Sequence, residues 1–348
     1  MKKTDRRLRV TSRDVAREVG VSQPTVSRAL AGDQAISQET RQRVFAAAER
    51  LNYATKYPNR SRGLMHQRTR MVGVVVAALT NSYYTLLLDR LHHELAAAGY
   101  SMILMIDEYE NPKDLSKLQM LLDKTLDGIL FTTATEDSAA VRVLHAQSIP
   151  LVLAVRSVPI KEIDVVESDN VMGAKEAIRY LLELGHRRIG FILGPNNTST
   201  SLQRFEGASA ALAEHGLEPD AKLCVWGPYS HETGYSGVLG LWNSDQRPTA
   251  VFCGNDVIAL GVLDATRKHG IEVPAKLSVV GFDDIPTAGW SAIQLTTVRV
   301  GIGELALVAA RRMLERIQSP CKPSARRDVL PTSLVRRATT GAPPSSFS

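Results

Sequence analysis

From Met71 onward, short continuous apolar runs alternate with stretches of helical periodicity. The runs MVGVVVAAL, YSMILMI, LDGILFT and IPLVLAV fill the first half, and RRIGFILG, PTAVFCGND and LSVVGFDD fill the second. A strand that is apolar at every position is buried on both faces, as in parallel sheets covered by helices. The pattern therefore predicts an α/β fold with parallel, doubly wound sheets in two lobes, one for each half.

Each predicted strand is followed by a helical stretch or a polar loop. In the first half the helical stretches are Tyr84–Ala98, ended by Gly99, then Lys113–Leu126 and Ser138–Gln147. In open α/β sheets, ligands bind outside the carboxyl ends of the strands. The residues that follow the strands are therefore the candidates for a binding site.

Positive charge is concentrated at the start of the chain. Met1–Arg70 holds 16 Lys and Arg residues against 6 Asp and Glu, whereas the remainder holds 26 basic and 30 acidic residues. A basic head on a slightly acidic body is typical of a nucleic-acid-binding module fused to another domain. A disordered basic arm would give the same imbalance, so the choice depends on the motifs within the head.

Within this head the pattern predicts three short helices. Thr11 or Ser12 can cap the first, Ser22 the second and Ser37 the third, and Gly20 ends the first before a tight turn. The residues predicted to form the core between them are Val15, Ala16, Val19, Val26, Ala29, Leu30, Val44, Ala47, Ala48 and Leu51.

The first two helices, joined by a tight turn, form a helix-turn-helix, whose second helix can enter the major groove. The polar face of that helix carries Gln23, Thr25, Ser27 and Arg28. Arginine can donate two hydrogen bonds to O6 and N7 of guanine, and Ser and Thr suit phosphate oxygens. A three-helix protein-binding module with a solvated polar face is the alternative, and the charge imbalance counts against it.

The segment VTSRDVAREVGVSQPTVSRALAGDQAISQETRQRVFAAAERLNY closely resembles the DNA-binding domain of LacI/GalR-type repressors. By this resemblance, Gln23, Pro24 and Arg28 lie where the family reads bases. The positions where the family holds phosphates are Thr11, Ser12, Ser22, Thr25, Ser27 and Ser37. Pro24 departs from this role because its side chain cannot hydrogen-bond a base and can make only apolar contact, for instance to a thymine methyl group.

Residues 55–70, TKYPNRSRGLMHQRTR, are basic and lack a core pattern. On composition alone they form a solvated linker. In the LacI/GalR family this stretch becomes a short helix on DNA, and a leucine from each subunit of a dimer wedges into the minor groove. The resemblance assigns this role to Leu64, although Gly63 lowers the helix propensity of the segment.

The body resembles the periplasmic-binding-protein-like core of the same family in the stretches ESDNVMGAKEAIRYLLELGHRRIGFILGP, AVFCGNDVIALGVLDA, VPAKLSVVGFDDIP and LVRRATT. The resemblance implies a helix-turn-helix head in residues 1–54, a hinge in 55–70 and a two-lobed core in 71–340. By this analogy, one lobe contains about 71–167 and 299–326, and the other about 168–298 and 327–340. The final GAPPSSFS, residues 341–348, is expected to be a disordered tail.

The same resemblance places an effector site between the lobes. Its candidate residues are Tyr83, Tyr84, Thr132, Arg204, Tyr229, Asn255 and Asp283, with Arg156 and Trp290 as additions. Carboxylate, amide and guanidinium groups suit vicinal hydroxyls, and a tyrosine face can stack on the C–H face of a sugar. The expected effector is therefore a sugar or sugar derivative. Val155 stands where some relatives carry an acidic pocket residue, which removes one contact to a sugar hydroxyl.

Other polar residues have structural interpretations. Asp169, Asp256 and Asp284 are expected to cap helices or stabilise loops rather than bind a ligand. Three widely spaced cysteines, Cys224, Cys253 and Cys321, lack metal-ligand spacing and are expected to be reduced thiols. No metal site is predicted.

Missing motifs argue against other functions. The sequence has no GxSxG, GxxxxGK[ST], HExxH or CxxC motif, so no enzyme activity and no cofactor are expected. A charged N-terminus and the lack of an apolar run of about 18 residues predict a cytoplasmic protein with no membrane contact. A secreted sugar receptor would share the body but would leave the basic head unexplained.

The prediction that accounts for head, hinge and body together is an allosteric transcriptional regulator. We expect a repressor that binds double-stranded DNA at a palindromic operator as a homodimer and responds to a small carbohydrate. Whether that effector releases the DNA or promotes its binding stays open.

Overall fold

The computed structural model describes residues 10–30, 33, 35–51, 53, 69–77, 79–107, 126–147, 149–319 and 324–345. The chain divides into two compact units, with the main boundary between Thr69 and Arg70. Three predictions lie outside the described residues: the wedging role of Leu64, most of the helix over Lys113–Leu126, and the state of Cys321.

The head unit contains helices α1 (Ser12–Val19), α2 (Gln23–Leu30) and α3 (Gln38–Arg50). The first half of the body contains β1 (Met71–Val76), α4 (Ser82–Ala97), β2 (Ser101–Ile106), β3 (Gly128–Phe131), α5 (Ala139–Ala146), β4 (Leu151–Ala154) and β5 (Asp164–Ser168). The remainder contains α6 (Asn170–Glu183), β6 (Ile189–Leu193), α7 (Ser199–Ala213), β7 (Cys224–Trp226), α8 (His231–Trp242), β8 (Ala250–Cys253), α9 (Asp256–Lys268), β9 (Ser278–Asp283), β10 (Thr296–Arg299), α10 (Ile302–Gln318), β11 (Arg327–Leu330) and β12 (Ser333–Val335).

The head is built as its apolar periodicity predicts. All of the predicted core residues are buried except Leu51, which is half-buried. Gly20 ends α1 with a φ of 75°, a left-handed conformation that glycine adopts without steric cost. The Oγ atoms of Ser22 and Ser37 accept the backbone N–H groups three residues ahead, each at 3.3 Å. Both serines are therefore confirmed as caps.

Within the described residues, the first sheet has six parallel strands in the order β11-β5-β4-β3-β1-β2. Strands β3, β4 and β5 are buried along their whole length, and β3 and β4 have the continuous apolar sequences expected of such strands. Helices α4 and α10 pack against each other and over this sheet. The sheet and its helices form the first lobe.

The second lobe contains a sheet in the order β12-β10-β9-β8-β6-β7. Its strands are parallel except β12, which runs antiparallel to β10. Helices α6 and α7 form one packed pair, and α8 and α9 form another. The α/β fold with doubly wound, mainly parallel sheets in two lobes is confirmed.

The predicted lobe boundaries near the C-terminus were wrong at one strand. Strand β10, which ends at Arg299, belongs to the second sheet, and the first lobe resumes with α10, close to the predicted boundary at about 299. Strand β11 pairs with β5 in the first sheet, although residues 327–340 were predicted to join the second lobe. Two arginine–carboxylate pairs hold it there: Arg312–Asp328 at 2.5 Å and Arg327–Glu167 at 2.5 Å.

The apolar run in β2 was predicted to be a buried strand, and this was also wrong. Strand β2 forms one edge of the first sheet, and Ile103, Leu104 and Ile106 are each more than a third exposed. Continuous apolar sequence therefore identified a strand here without identifying its burial, because edge position depends on the order of strands in the sheet.

The predicted disordered tail begins too early. Gly341 donates its N–H to Ser278 Oγ at 3.0 Å, and its carbonyl oxygen lies 2.9 Å from Nε2 of the buried His186. The end of the chain is thus fastened to the second lobe as far as Gly341, while residues 346–348 lie outside the described residues. In the described part of the chain, no helix is long and apolar enough to span a membrane.

Candidate functional site

Helix α2 presents one polar face to solvent because its other face is fixed in the head core. Val26, Ala29 and Leu30 are buried, whereas Gln23 and Arg28 are exposed. Pro24 is also exposed, and Thr25 and Ser27 are half-buried. The residues predicted to read bases are therefore the most accessible ones on the helix.

The hydroxyl groups around α2 are linked to one another. Gln23 Nε2 donates to Ser12 Oγ at 3.2 Å and to Ser27 Oγ at 3.4 Å. Ser22 Oγ lies 2.7 Å from Thr25 Oγ1. These bonds gather the amide predicted to read a base with the serines predicted to hold phosphates, on one surface of the head.

Thr11 has a partner that the sequence reasoning missed. Asp14 Oδ2 accepts from the Thr11 backbone N–H at 2.8 Å and from its hydroxyl at 2.7 Å. These two hydrogen bonds lower the pKa of Asp14. The spacing T-x-x-D at the start of α1 is the sequence signal that could have found this capping pair.

In the body, Arg204 on α7 and Asp283 at the end of β9 form a buried ion pair. Arg204 Nη2 donates to Asp283 Oδ1 at 3.2 Å, and both side chains are 6% exposed. The same guanidinium donates to Asn170 Oδ1 at 2.9 Å and to the Gly254 carbonyl, and it stacks 3.8 Å from the ring centroid of Phe282. Its position is thus defined from several sides.

Asp283 has a carboxylate whose charge is destabilised by burial and a backbone conformation that is unusual. Burial raises its pKa to about 6, even though Arg204 beside it acts in the opposite direction. Its φ of 116° is unusual for a residue other than glycine. Val155, at the end of β4, has a φ of 73°, which is rarer still for a β-branched side chain. Such strain is concentrated at binding sites.

Two tyrosines of the first lobe were predicted to belong to the same site. Tyr83 and Tyr84 are buried, with their rings in edge contact at 5.6 Å. Burial raises the pKa of Tyr83, and the negative charge of Asp283 raises it further, while Arg204 lowers it. The Ser157 N–H of the first lobe donates to Ser199 Oγ of the second at 2.9 Å, and Arg156 lies 5.8 Å from the ring centroid of Tyr229. The carboxyl ends of the two sheets therefore meet here.

Tyr229 is held by residues that the sequence reasoning did not select. Its hydroxyl lies 2.7 Å from Ser201 Oγ and 3.0 Å from Thr200 Oγ1, in the first turn of α7. A Cβ at Gly194 would overlap its ring, so glycine is needed beneath it. Arg156 of the first lobe lies 5.8 Å from the ring centroid. The polar run GPNNTSTS was the signal for this cluster of hydroxyls.

Two predicted effector residues have backbone partners. Thr132 Oγ1 donates to the Val75 carbonyl at 2.7 Å, and Thr132 is fully buried. Asn255 Oδ1 accepts from the Ile258 N–H at 3.0 Å and caps α9. Trp290 is 61% exposed. The ligand roles assigned to Thr132 and Asn255 by resemblance stay predictions.

The three aspartates that were expected to cap helices or stabilise loops each have such partners in the structure. Asp169 accepts from the Met172 N–H at 2.9 Å and caps α6. Asp256 accepts from Thr297 Oγ1 at 2.5 Å, and burial raises its pKa. Asp284 forms ion pairs at 2.7 Å with two arginines. Within the part of the chain that the structure describes, no cluster of His, Cys, Asp and Glu could hold a metal ion.

Comparison with protein families and relatives agrees with this division into head and body. Residues 11–56 match the model for bacterial regulatory proteins of the lacI family, and residues 178–340 match the periplasmic binding protein-like domain. The HTH-type transcriptional regulator DegA of Bacillus subtilis (strain 168) is 32% identical over 337 residues, which cover 96% of this chain and 98% of DegA.

Solved structures give the same result over nearly the whole chain. The complex of the transcriptional regulator CelR with cellobiose has a TM-score of 0.73 at 28% identity, covering 95% of this chain and all of that one. The lac repressor dimer bound to operator and the anti-inducer ONPF has a TM-score of 0.70 at 27% identity, covering 96% and 99%.

Proposed function

The chain belongs to the LacI family of bacterial regulatory proteins, and we propose that it is a repressor whose affinity for its operator is controlled by a carbohydrate effector. The relatives compared above are transcriptional regulators, not enzymes. The observation that carries the proposal is the buried Arg204–Asp283 pair at the carboxyl end of β9.

The chemistry of this site favours a polyhydroxylated ligand. Asp283 can accept from sugar hydroxyls and Arg204 can donate to them, and both are buried where such bonds are strong. Tyr83, Tyr84 and Tyr229 are the aromatic side chains that we assign to the same site. CelR, a relative of similar fold, has been solved with cellobiose, which supports assigning a sugar to this chain as well.

For DNA, we assign base recognition to Gln23 and Arg28 and phosphate contacts to the hydroxyls around α2. The solved lac repressor is a dimer on its operator, so we infer that two copies of this chain bind a roughly palindromic site. Residues 1–54 would then be the head and 55–70 the hinge, with Leu64 as the residue that wedges into the minor groove.

Effector control follows from linkage between two sites. A ligand changes operator affinity only if it binds the two arrangements of the lobes with different affinity. The effector site that we propose has groups from both lobes, and Arg156 of the first lies 5.8 Å from the ring centroid of Tyr229 of the second. The affinity of a ligand held between these groups therefore depends on the arrangement of the lobes.

The DNA-binding proposal is tested by selecting duplexes from a random pool with the full-length protein at moderate salt. We expect a palindromic consensus with two half-sites, and Arg28→Ala should relax one position in each half. Failure to enrich any sequence over random competitor DNA would contradict the proposal.

The effector is sought by thermal shift over sugars, sugar acids and nucleobases, followed by titration of the selected duplex. A ligand at 100 times its dissociation constant adds about 2.7 kcal/mol of stability. The sign of its effect on DNA affinity then distinguishes induction from corepression. Binding of a nucleobase and no sugar would overturn the carbohydrate assignment while leaving the DNA-binding role intact.

A further inference from the structure

A continuous chain of hydrogen bonds joins the effector site in the second lobe to a buried carboxylate in the first. Arg204 Nε donates to Asn170 Oδ1 at 2.9 Å. Asn170 Nδ2 donates to Gln203 Oε1 at 2.9 Å. Gln203 Nε2 then donates to Glu167 Oε2 at 3.3 Å. Glu167 closes the chain at the end of β5.

The chemistry of the end groups fixes the direction of every bond. A guanidinium can only donate, so Asn170 must turn its oxygen to Arg204 and its nitrogen to Gln203. Gln203 must then accept from Asn170 with its oxygen and donate with its nitrogen. An ionised carboxylate can only accept, and Glu167 meets that requirement. The chain of hydrogen bonds therefore allows only one orientation of each side-chain amide, which makes it a rigid connector.

Glu167 lies where the two lobes meet, and it is 1% exposed. Its Oε2 accepts from Ser157 Oγ of the first lobe at 3.1 Å as well as from Gln203 of the second. Its Oε1 accepts from Arg327 Nε at 2.5 Å. The Ser157 N–H in turn donates to Ser199 Oγ, at the start of α7, at 2.9 Å. Each lobe thus supplies a donor to the same carboxylate oxygen.

We propose that Glu167 and Gln203 are positioning residues that hold the Arg204 guanidinium toward the effector and tie its position to the arrangement of the lobes. Neither residue touches the effector in this scheme, since both act through Asn170. The inference rests on the proposed function in one respect, namely that Arg204 contacts the effector.

The physical basis is the cost of leaving a buried acceptor short of donors. In any lobe arrangement that separates Gln203 from Glu167, Oε2 loses one of its two donors inside the protein. An effector that fixes Arg204 also fixes Asn170 and Gln203, so it favours the arrangement in which the chain is intact. Through these hydrogen bonds, a ligand that contacts Arg204 stabilises one arrangement of the lobes.

A charge swap tests the proposal without knowledge of the effector. In Q203E two carboxylates face each other and neither can donate, so the chain breaks at its last bond. In E167Q/Q203E the amide at position 167 can donate to the carboxylate at 203, which still accepts from Asn170. The double variant therefore restores an allowed direction. E206Q, at an exposed position one turn along the same helix, is the control for a change of charge on α7.

The first readout is the interlobe distance, measured by pulsed electron paramagnetic resonance. Nitroxides are attached at the exposed sites K161C in the first lobe and E218C in the second. The background carries C224S and C321S, and labelled chains are diluted with unlabelled protein so that one labelled subunit is seen. The second readout is affinity for the operator duplex obtained by selection with the wild-type protein.

We expect Q203E to move or broaden the interlobe distance distribution and to change operator affinity by about tenfold or more. The swap should restore the distribution and bring affinity to within about threefold of wild type, as should E206Q. The single variant E167Q accounts for loss of the Arg327–Glu167 ion pair. A swap whose effects equal the sum of those of Q203E and E167Q overturns the proposal, and so does a Q203E distribution that matches wild type.

The outcome is separable from that of the proposed function. If the wild-type protein binds no DNA, the proposed function fails and the distance measurement still decides on the positioning role. If operator binding and effector response are intact in wild type and in Q203E, the proposed function stands and the positioning role is refuted.

Discussion

Replacing Asp283 by asparagine should stabilise the folded protein at pH 8 while weakening its response to effector. Burial raises the pKa of Asp283 from its ordinary value of 3.8 to about 6, despite the neighbouring guanidinium. One pH unit of pKa corresponds to about 1.4 kcal/mol, so holding this carboxylate ionised in the folded protein costs about 3 kcal/mol. Asparagine has the same shape and carries no charge, so the variant avoids that cost.

The pH dependence has a definite sign. A carboxyl group with a higher pKa in the folded state binds its proton more tightly when folded. The contribution of Asp283 to the unfolding free energy therefore falls as pH rises from about 4 to about 6, and it is constant above that range. Asp283→Asn should thus match wild type near pH 4 and exceed it by up to about 3 kcal/mol at pH 8.

Urea unfolding of the full-length protein at both pH values measures this difference. The charge of Asp283 also raises the pKa of Asp256, so its removal lowers the pKa of that carboxyl and acts in the same direction. Asp245→Asn, at an exposed position, is the control and should show no such dependence. The loss of a charged acceptor should also lower effector affinity about tenfold or more. A variant that is less stable than wild type at pH 8, or a difference independent of pH, would refute the reasoning.

Arg28→Ala should lose about 1–3 kcal/mol of operator affinity and relax one base position, whereas Arg179→Ala on the body should not. Filter binding with the selected duplex and its point variants checks this, and unchanged specificity would remove Arg28 from base reading. Leu64→Ala should reduce bending of the operator, measured by fluorescence transfer between dyes at the duplex ends; an unaltered bend speaks against wedging. Gly194→Ala should push the Tyr229 ring out of place and lower effector affinity about tenfold, and calorimetry showing wild-type affinity would exclude Tyr229 from the site.

Much of the architecture was predictable from the sequence because burial on both faces leaves a continuous apolar pattern. Strands β3, β4 and β9 have such patterns and lie inside their sheets. Strand β11, with the sequence RDVL, does not: its first two residues are charged and it lies at a sheet edge, where ion pairs hold it. Nothing local in four such residues indicates which sheet they join.

The candidate site was predictable to the extent that single residues carry its chemistry. Arg204 and Asp283 were selected from separate motifs, and the structure brings them together at 3.2 Å. Glu167 and Gln203 were not selected, because a glutamate in a strand and a glutamine in a helix have no meaning until the lobes are assembled. Their role depends on partners that lie 36 residues apart in sequence.

The passage of the chain between the two lobes has a consequence for its synthesis. It crosses after Ser168, again after Arg299 and a third time after Leu330, so neither lobe is one continuous stretch. A ribosome must therefore have made nearly the entire polypeptide before helix α10 and strand β11 can complete the first lobe. The first lobe, although begun first, is expected to be finished last, with its partly covered sheet in need of protection during translation.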